Sequence, residues 1–153
     1  MIRVRLTTTK RQIQKMAMEA VNDVRNQAIR ILQRAGESAV NEAKSTEKQN
    51  DWHDDTANLR SSIGYIVCED GKPISVSDFK QEKPTATEGP STGKEFALRL
   101  AAETEGLALI VVAGMNYAKY VAGKGYNVLS SAQIVASDEI QNLFKKRYKL
   151  DNQ

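Results

Sequence analysis

Leu107-Ala108-Leu109-Ile110-Val111-Val112-Ala113 is the stretch that decides the fold class of this chain. It is apolar throughout and β-branched in its second half, with no polar alternation. A run of this length and composition reads as a strand buried on both faces, and predicts the centre of a sheet. A membrane span would need about 20 such residues. Just upstream, residues 94–105 read as a helix, with Phe96, Ala97, Leu100 and Ala101 on one face and Gly106 where a helix should stop.

Further back lies a second β region. Ile63, Tyr65 and Val67 alternate with Gly64, Ile66 and Cys68, and Asp70-Gly71 supplies a hairpin turn. Pro73 makes the return segment, residues 74–79, a short edge strand. Residues 80–93 are rich in Glu, Lys, Pro, Thr, Ser and Gly, and are expected to form a mobile surface loop.

Helices close the pattern at both ends. Ile13, Met16, Ala17, Ala20, Val21, Val24, Ala28, Ile31, Leu32, Ala35 and Ala39 recur in steps of three and four, which predicts an amphipathic helix over about residues 8–44. Thr8 and Thr9 are candidate caps, and Gly36 a candidate break or kink. Residues 45–55, polar apart from Trp52, read as a loop. After the central strand, residues 116–121 suggest a short helical segment, interrupted by Gly123-Lys124-Gly125. Ser130 and Gln133 have capping-box spacing and open a last helix carrying Ala132, Val135, Ala136, Ile140, Leu143 and Phe144. Lys145, Lys146, Arg147 and Lys149 suit the negative end of that helix. The expected architecture is a single α+β domain over residues 1–153: a long N-terminal helix, then a body over about residues 55–149. In that body a small antiparallel or mixed sheet surrounds the apolar strand, and a helix closes the chain.

Composition permits a real core: 41% of the 153 residues are hydrophobic and 27% charged. The formal charge is only +3, but it is unevenly spread. Residues 1–35 hold eight Lys/Arg against two acids, a net of +6, whereas residues 36–110 hold eight against fourteen, a net of −6. Such polarity can steer a nucleic acid, align head-to-tail copies of one subunit, or mark a solvated basic helix face. A single cysteine excludes an intrachain disulfide and fits a reducing compartment. The N-terminal residues lack a signal-peptide apolar core, so a soluble, cytosol-made protein with no membrane partner is expected.

Catalytic sets are missing. His53 is the one histidine; beside Asp51, Asp54 and Asp55 it could suggest a metal or acid–base cluster, but no second histidine or cysteine completes a ligand spacing. Cys68 reads as a packed strand residue. Gly89-Pro-Ser-Thr-Gly93-Lys94 imitates a phosphate loop, but it has one spacer too few, and Glu95 occupies the place of the metal-binding hydroxyl. Gly123-Lys-Gly125 reads as a turn. No enzyme, cofactor or metal is expected. Arg3, Arg5, Lys10, Arg11, Lys15, Arg25, Arg30 and Arg34 could contact phosphates non-specifically, yet no aromatic interleaves them as a base-stacking platform.

Two segments resemble a known family. Asp55-Thr56-Ala57-Asn58-Leu59-Arg60-Ser61-Ser62-Ile63 is similar to the Asp-Thr-Gly-x-Leu-Arg-x-Ser-Ile stretch of small neck and tail-completion proteins of long-tailed bacteriophages. Val112-Ala113-Gly114-Met115-Asn116-Tyr117-Ala118-Lys119-Tyr120-Val121 resembles the same family's apolar strand running into Tyr-Ala-x-Tyr-Val, and Ser131-Ala132 its late helix start. Ala57 stands where the family has glycine, and residues 121–126 depart from its Val-Glu-x-Gly-Thr ending. On the residues themselves, Asp55 or Thr56 can cap a short helix over residues 58–62, Leu59 can anchor it, and Tyr117 and Tyr120 share a helical face.

The resemblance implies a structural virion protein, assembled in the host bacterial cytoplasm into a homo-oligomeric ring at the head–tail junction, as neck protein or tail terminator. Its partners would be itself, other neck, connector or tail-tube proteins, and DNA in the channel. Arg25, Arg30 and Arg34 are the expected subunit or DNA contacts, and the long helix and residues 80–93 the expected ring contacts. The alternative is a phage or prophage accessory protein that contacts DNA through its basic N-terminal helix.

Overall fold

The computed structural model describes residues 7–45 and 55–148. His53, Trp52 and Lys149 lie outside them. The chain runs α1 (Lys10–Ser45), α2 (Asn58–Ser61), β1 (Ile63–Glu69), β2 (Lys72–Val76), α3 (Gly89–Ala102), β3 (Leu107–Ala113), α4 (Ala118–Gly123) and α5 (Ser130–Tyr148). This is the expected α+β architecture. The sheet is antiparallel with strand order β2-β1-β3.

The order corrects one expectation: β1, not the apolar strand β3, is central. Side chains report what covers the faces of a sheet, whereas central position concerns the hydrogen-bonded edges, and the two are independent. Here α1 covers one face and α3 the other. Ile63 belongs to the core on the α1 side, with Ala39, Ala43, Leu59, Ala118, Val128, Ala132 and Ala136, and Leu109, Val111 and Ala113 pack against it. Ile66 and Cys68 pack on the α3 side with Phe79, Ala97, Ala101 and Val112. Residues 63–68 are therefore all buried, although their sequence alternates. Burial pushes the Cys68 thiol above its ordinary pKa, as suits a packed side chain.

α1 is continuous for 36 residues, with no break at the candidate Gly36. That glycine instead makes room: a Cβ there would lie 2.6 Å from the Tyr65 ring. Thr9 and Gln12 close the helix start reciprocally, the Thr9 amide donating to Gln12 Oε1 and the Gln12 amide to Thr9 Oγ1. α5 begins at Ser130 as expected, but its capping acceptor is Asn127 Oδ1, which takes the Ser131 amide at 3.1 Å. α3 starts at Gly89 rather than at Lys94, and β2 spans Lys72–Val76 rather than residues 74–79. Among the described residues, no helix is long and apolar enough to cross a membrane.

Candidate assembly surface

The two segments that carry the family resemblance meet at one end of the sheet. Ile63 pairs with Ala113, the Gly114 amide donates to the Ser62 carbonyl at 3.2 Å, and the Met115 amide to Ser62 Oγ at 3.3 Å. Ser62 Oγ in turn donates to the Leu59 carbonyl, so the short helix α2 is bolted to the loop after β3. Leu59, Ile63 and Ala118 share one core, against which Val121 packs. Full burial of Leu59 alone contributes about 2 kcal/mol. These motif residues hold the subunit together.

The N-cap of α2 is Ala57, in the left-handed region at φ 60°, which corrects the expectation that Asp55 or Thr56 occupies that position. Thr56 Oγ1 still accepts the Asn58 amide at 3.3 Å. Alanine here takes up a conformation that glycine adopts without strain. Asn58 serves a different helix: its Oδ1 accepts the amides of Glu88 and Gly89 at the start of α3. Ser61 Oγ accepts the Glu82 amide. Arg60 is half-buried, and its charge, with those of Lys44 and Lys80, acts on Glu82. Burial works against the charge of Glu82, but the Lys44 hydrogen bond and these cations outweigh it, so its carboxyl sits below the ordinary range.

Gly89 and Gly93, from the rejected phosphate-loop lookalike, and Gly114 are spacers. A Cβ on Gly89 would lie 3.0 Å from Asn58 Cα, one on Gly93 2.8 Å from Ser62 Cα, and one on Gly114 2.8 Å from the Gly93 nitrogen. Helix α3 thus lies with its backbone directly on the motif segment. Tyr117 is exposed and precedes α4 rather than lying within it, and the Tyr120 side chain is outside the description. Asp55 and Thr56 are also exposed.

Of the three arginines, Arg30 and Arg34 line one groove, and Arg25 is paired elsewhere. Arg25 forms a bidentate ion pair with Glu69, which raises the arginine pKa and lowers that of the carboxylate. Arg34 pairs with Glu139 of α5 at 2.9 Å. Arg30 is exposed, in a groove shared with Gln27, Arg34, Lys146 and Arg147. Arg147 Nε donates to Gln27 Oε1 of α1 at 2.9 Å. Sequence reasoning assigned Lys146 and Arg147 only to their own helix dipole; no one-dimensional signal places them beside α1.

The surface least explained by the subunit itself is the first half of α1. The buried residues of α1 begin at Ile29, whereas Ile13, Met16, Met18, Val21 and Val24 are 49–68% exposed. Because Arg25 is fixed to Glu69 at the end of β1, residues 10–24 project past the sheet as an arm. Beside the sheet, the outer edge of β3 faces a groove of about 570 Å³, lined by Leu32, Leu109, Leu129, Ala132, Ala136 and Ile140 among others. No strand pairs with that edge among the described residues. Among the same residues, no group of three His, Cys, Asp or Glu could hold a metal ion. No family model, curated protein or solved structure matches the chain.

Proposed function

We propose that this chain is a structural assembly subunit, a virion protein of a tailed bacteriophage that forms a ring at the head–tail junction as neck or tail-completion protein. The observation that carries the reading is the projecting, apolar first half of α1, which the described residues of the subunit do not bury. Contiguous exposed apolar surface of this kind marks an interaction site. The resemblance of the two motif segments supplies the setting, and their partners would be further copies and the neck, connector or tail-tube proteins next to them. The net of +6 in residues 1–35 against −6 in residues 36–110 favours head-to-tail contacts, which form a ring where the rotation between copies closes.

The test is light scattering of the purified chain across a concentration series, beside the Met16→Glu/Val21→Glu variant. Both residues are about two-thirds exposed, so the variant should melt like the wild type. The wild type is expected to form a defined ring, or to step toward one, and the variant to stay monomeric at tenfold higher concentration. A wild type that never associates, or a variant that assembles normally, overturns the reading.

A second reading, contact with DNA, is favoured by the convergence of Arg30, Lys146 and Arg147. It predicts duplex binding whose affinity falls with salt. Removing the three cations should flatten the logarithmic slope by about 0.9 for each phosphate left without its cation. An unchanged slope in the triple alanine variant excludes this groove as the binding surface.

A further inference from the structure

Two apolar surfaces of this chain stay uncovered among its described residues, and each has the form of the other's partner. The first is the arm. Ile13, Ala17, Ala20 and Val24 step along α1 by four, three and four, and the row runs on through Ala28, Ile31, Ala35 and Ala39. From Ile31 onward it is buried, where α5 and the sheet pack on α1. α5 runs to Tyr148, whose hydroxyl donates to Gln27 Oε1 at 3.3 Å. Before Gln27 the row continues with Ile13 and Val24 exposed, flanked by the exposed Met16 and Val21. The arm thus extends, past its cover, a face that the subunit already uses for packing.

The second surface is the groove of about 570 Å³ between β3 and α5. Leu32, Leu109, Ala132, Ala136 and Ile140 are among the residues that line it. The outer edge of β3 is unpaired among the described residues, and its seven residues include no charge and no proline. The opposite edge, β2, carries Lys72 and Pro73, the kind of residues that blunt an edge. A hydrophobic groove of this sort accepts an amphipathic helix whose anchors recur at steps of three and four. A helix laid there also covers the free edge of the sheet.

No copy can fill its own groove with its own arm. Leu32 lines the groove and belongs to the same continuous helix, so residues 10–24 lead away from it. Lys10 lies twenty-two residues before Leu32, about 33 Å along the helix. Charge sets the direction of entry. Glu103 and Glu105 are exposed just ahead of Leu107, at one end of the groove, and the arm opens with the exposed Lys10 and Arg11. Opposite charges at that end steer the arm in start first.

Resting on the assembly reading above, we infer that the arm of one copy, residues 10–24 of α1, seats its apolar stripe in the groove between β3 and α5 of a second copy. Each copy donates one arm and accepts one, through different surfaces. That is a heterologous contact, which makes a ring where the rotation between copies closes.

The experiment mixes two full-length variants, each lacking one half of the contact. Met16→Glu/Val21→Glu spoils the arm and keeps the groove. Gln133→Lys/Ser137→Lys puts two cations into the groove and keeps the arm; both side chains are exposed, so this variant should melt like the wild type. Alone, the groove variant is expected to need about tenfold more protein to assemble than the wild type. Mixed in equal amounts, the two variants should form a pair and stop there, because the one intact arm occupies the one intact groove. Native mass spectrometry distinguishes that mixed pair from either monomer by mass. A groove variant that assembles at the wild-type concentration, or a mixture that yields no mixed pair, overturns the arm-in-groove contact and leaves the assembly reading standing. A wild type that never associates removes the assembly reading, and this contact with it.

Discussion

Gly93 and Gly123 are the same residue in opposite circumstances. A methyl on Gly93 would press on the backbone of Ser62 and on the Phe79 ring, where neither helix nor strand can move aside alone. Nothing lies within 4 Å of the corresponding position at Gly123. Gly93→Ala is therefore expected to destabilise the fold by about 2–3 kcal/mol through overpacking. Gly123→Ala should be neutral or stabilising by up to about 1 kcal/mol, through the entropy of the unfolded chain. Urea unfolding of the two variants checks the contrast, and similar midpoints would refute the close packing of α3. Sequence showed both glycines but not the difference, because a spacer is defined by what it touches. The same holds for Asn58, legible as part of a motif and illegible as the cap of α3, thirty residues away.

Elements were legible where local periodicity decides them. The long helix, its Thr9 start, the hairpin at Asp70-Gly71 and the opening of α5 at Ser130 follow from spacing and turn chemistry that neighbouring residues settle among themselves. The start of α3 was not legible. Gly89 and Pro90 look like loop, but proline is favoured in a first helical turn, and an acceptor from α2 satisfies the amides there. Gly36, a candidate break inside a helix read through to residue 44, makes room for the Tyr65 ring. For the candidate surface, the apolar stripe of α1 was visible as a whole. Which half would find a partner inside the subunit depended on where the sheet ends.

At the scale of the whole molecule, the folded chain joins distant elements through a few ion pairs, and these set its response to acid. Lys44 ties α1 to Glu82, and Arg25 ties α1 to Glu69. Both carboxylates titrate below their ordinary value of 4.5. A carboxylate lowered by folding stabilises the native state above its unfolded pKa, and that contribution disappears as pH falls through the folded value. Glu82→Gln should therefore cost about 1–2 kcal/mol at neutral pH, and the gap from the wild type should close below about pH 4. Thermal melts of both proteins across that range check it; a gap independent of pH would mean that the Lys44 pair contributes nothing. Sequence by itself determined the α+β class, the order of elements and the polarity of charge, since these follow from composition and local period. Only the tertiary structure decided that β1 is central, that Arg25 and Arg34 form internal pairs, and that, among the described residues, β3 has an unpaired edge and the first half of α1 is exposed. Those are properties of contacts between residues far apart in the chain, and no local pattern encodes which surfaces will meet.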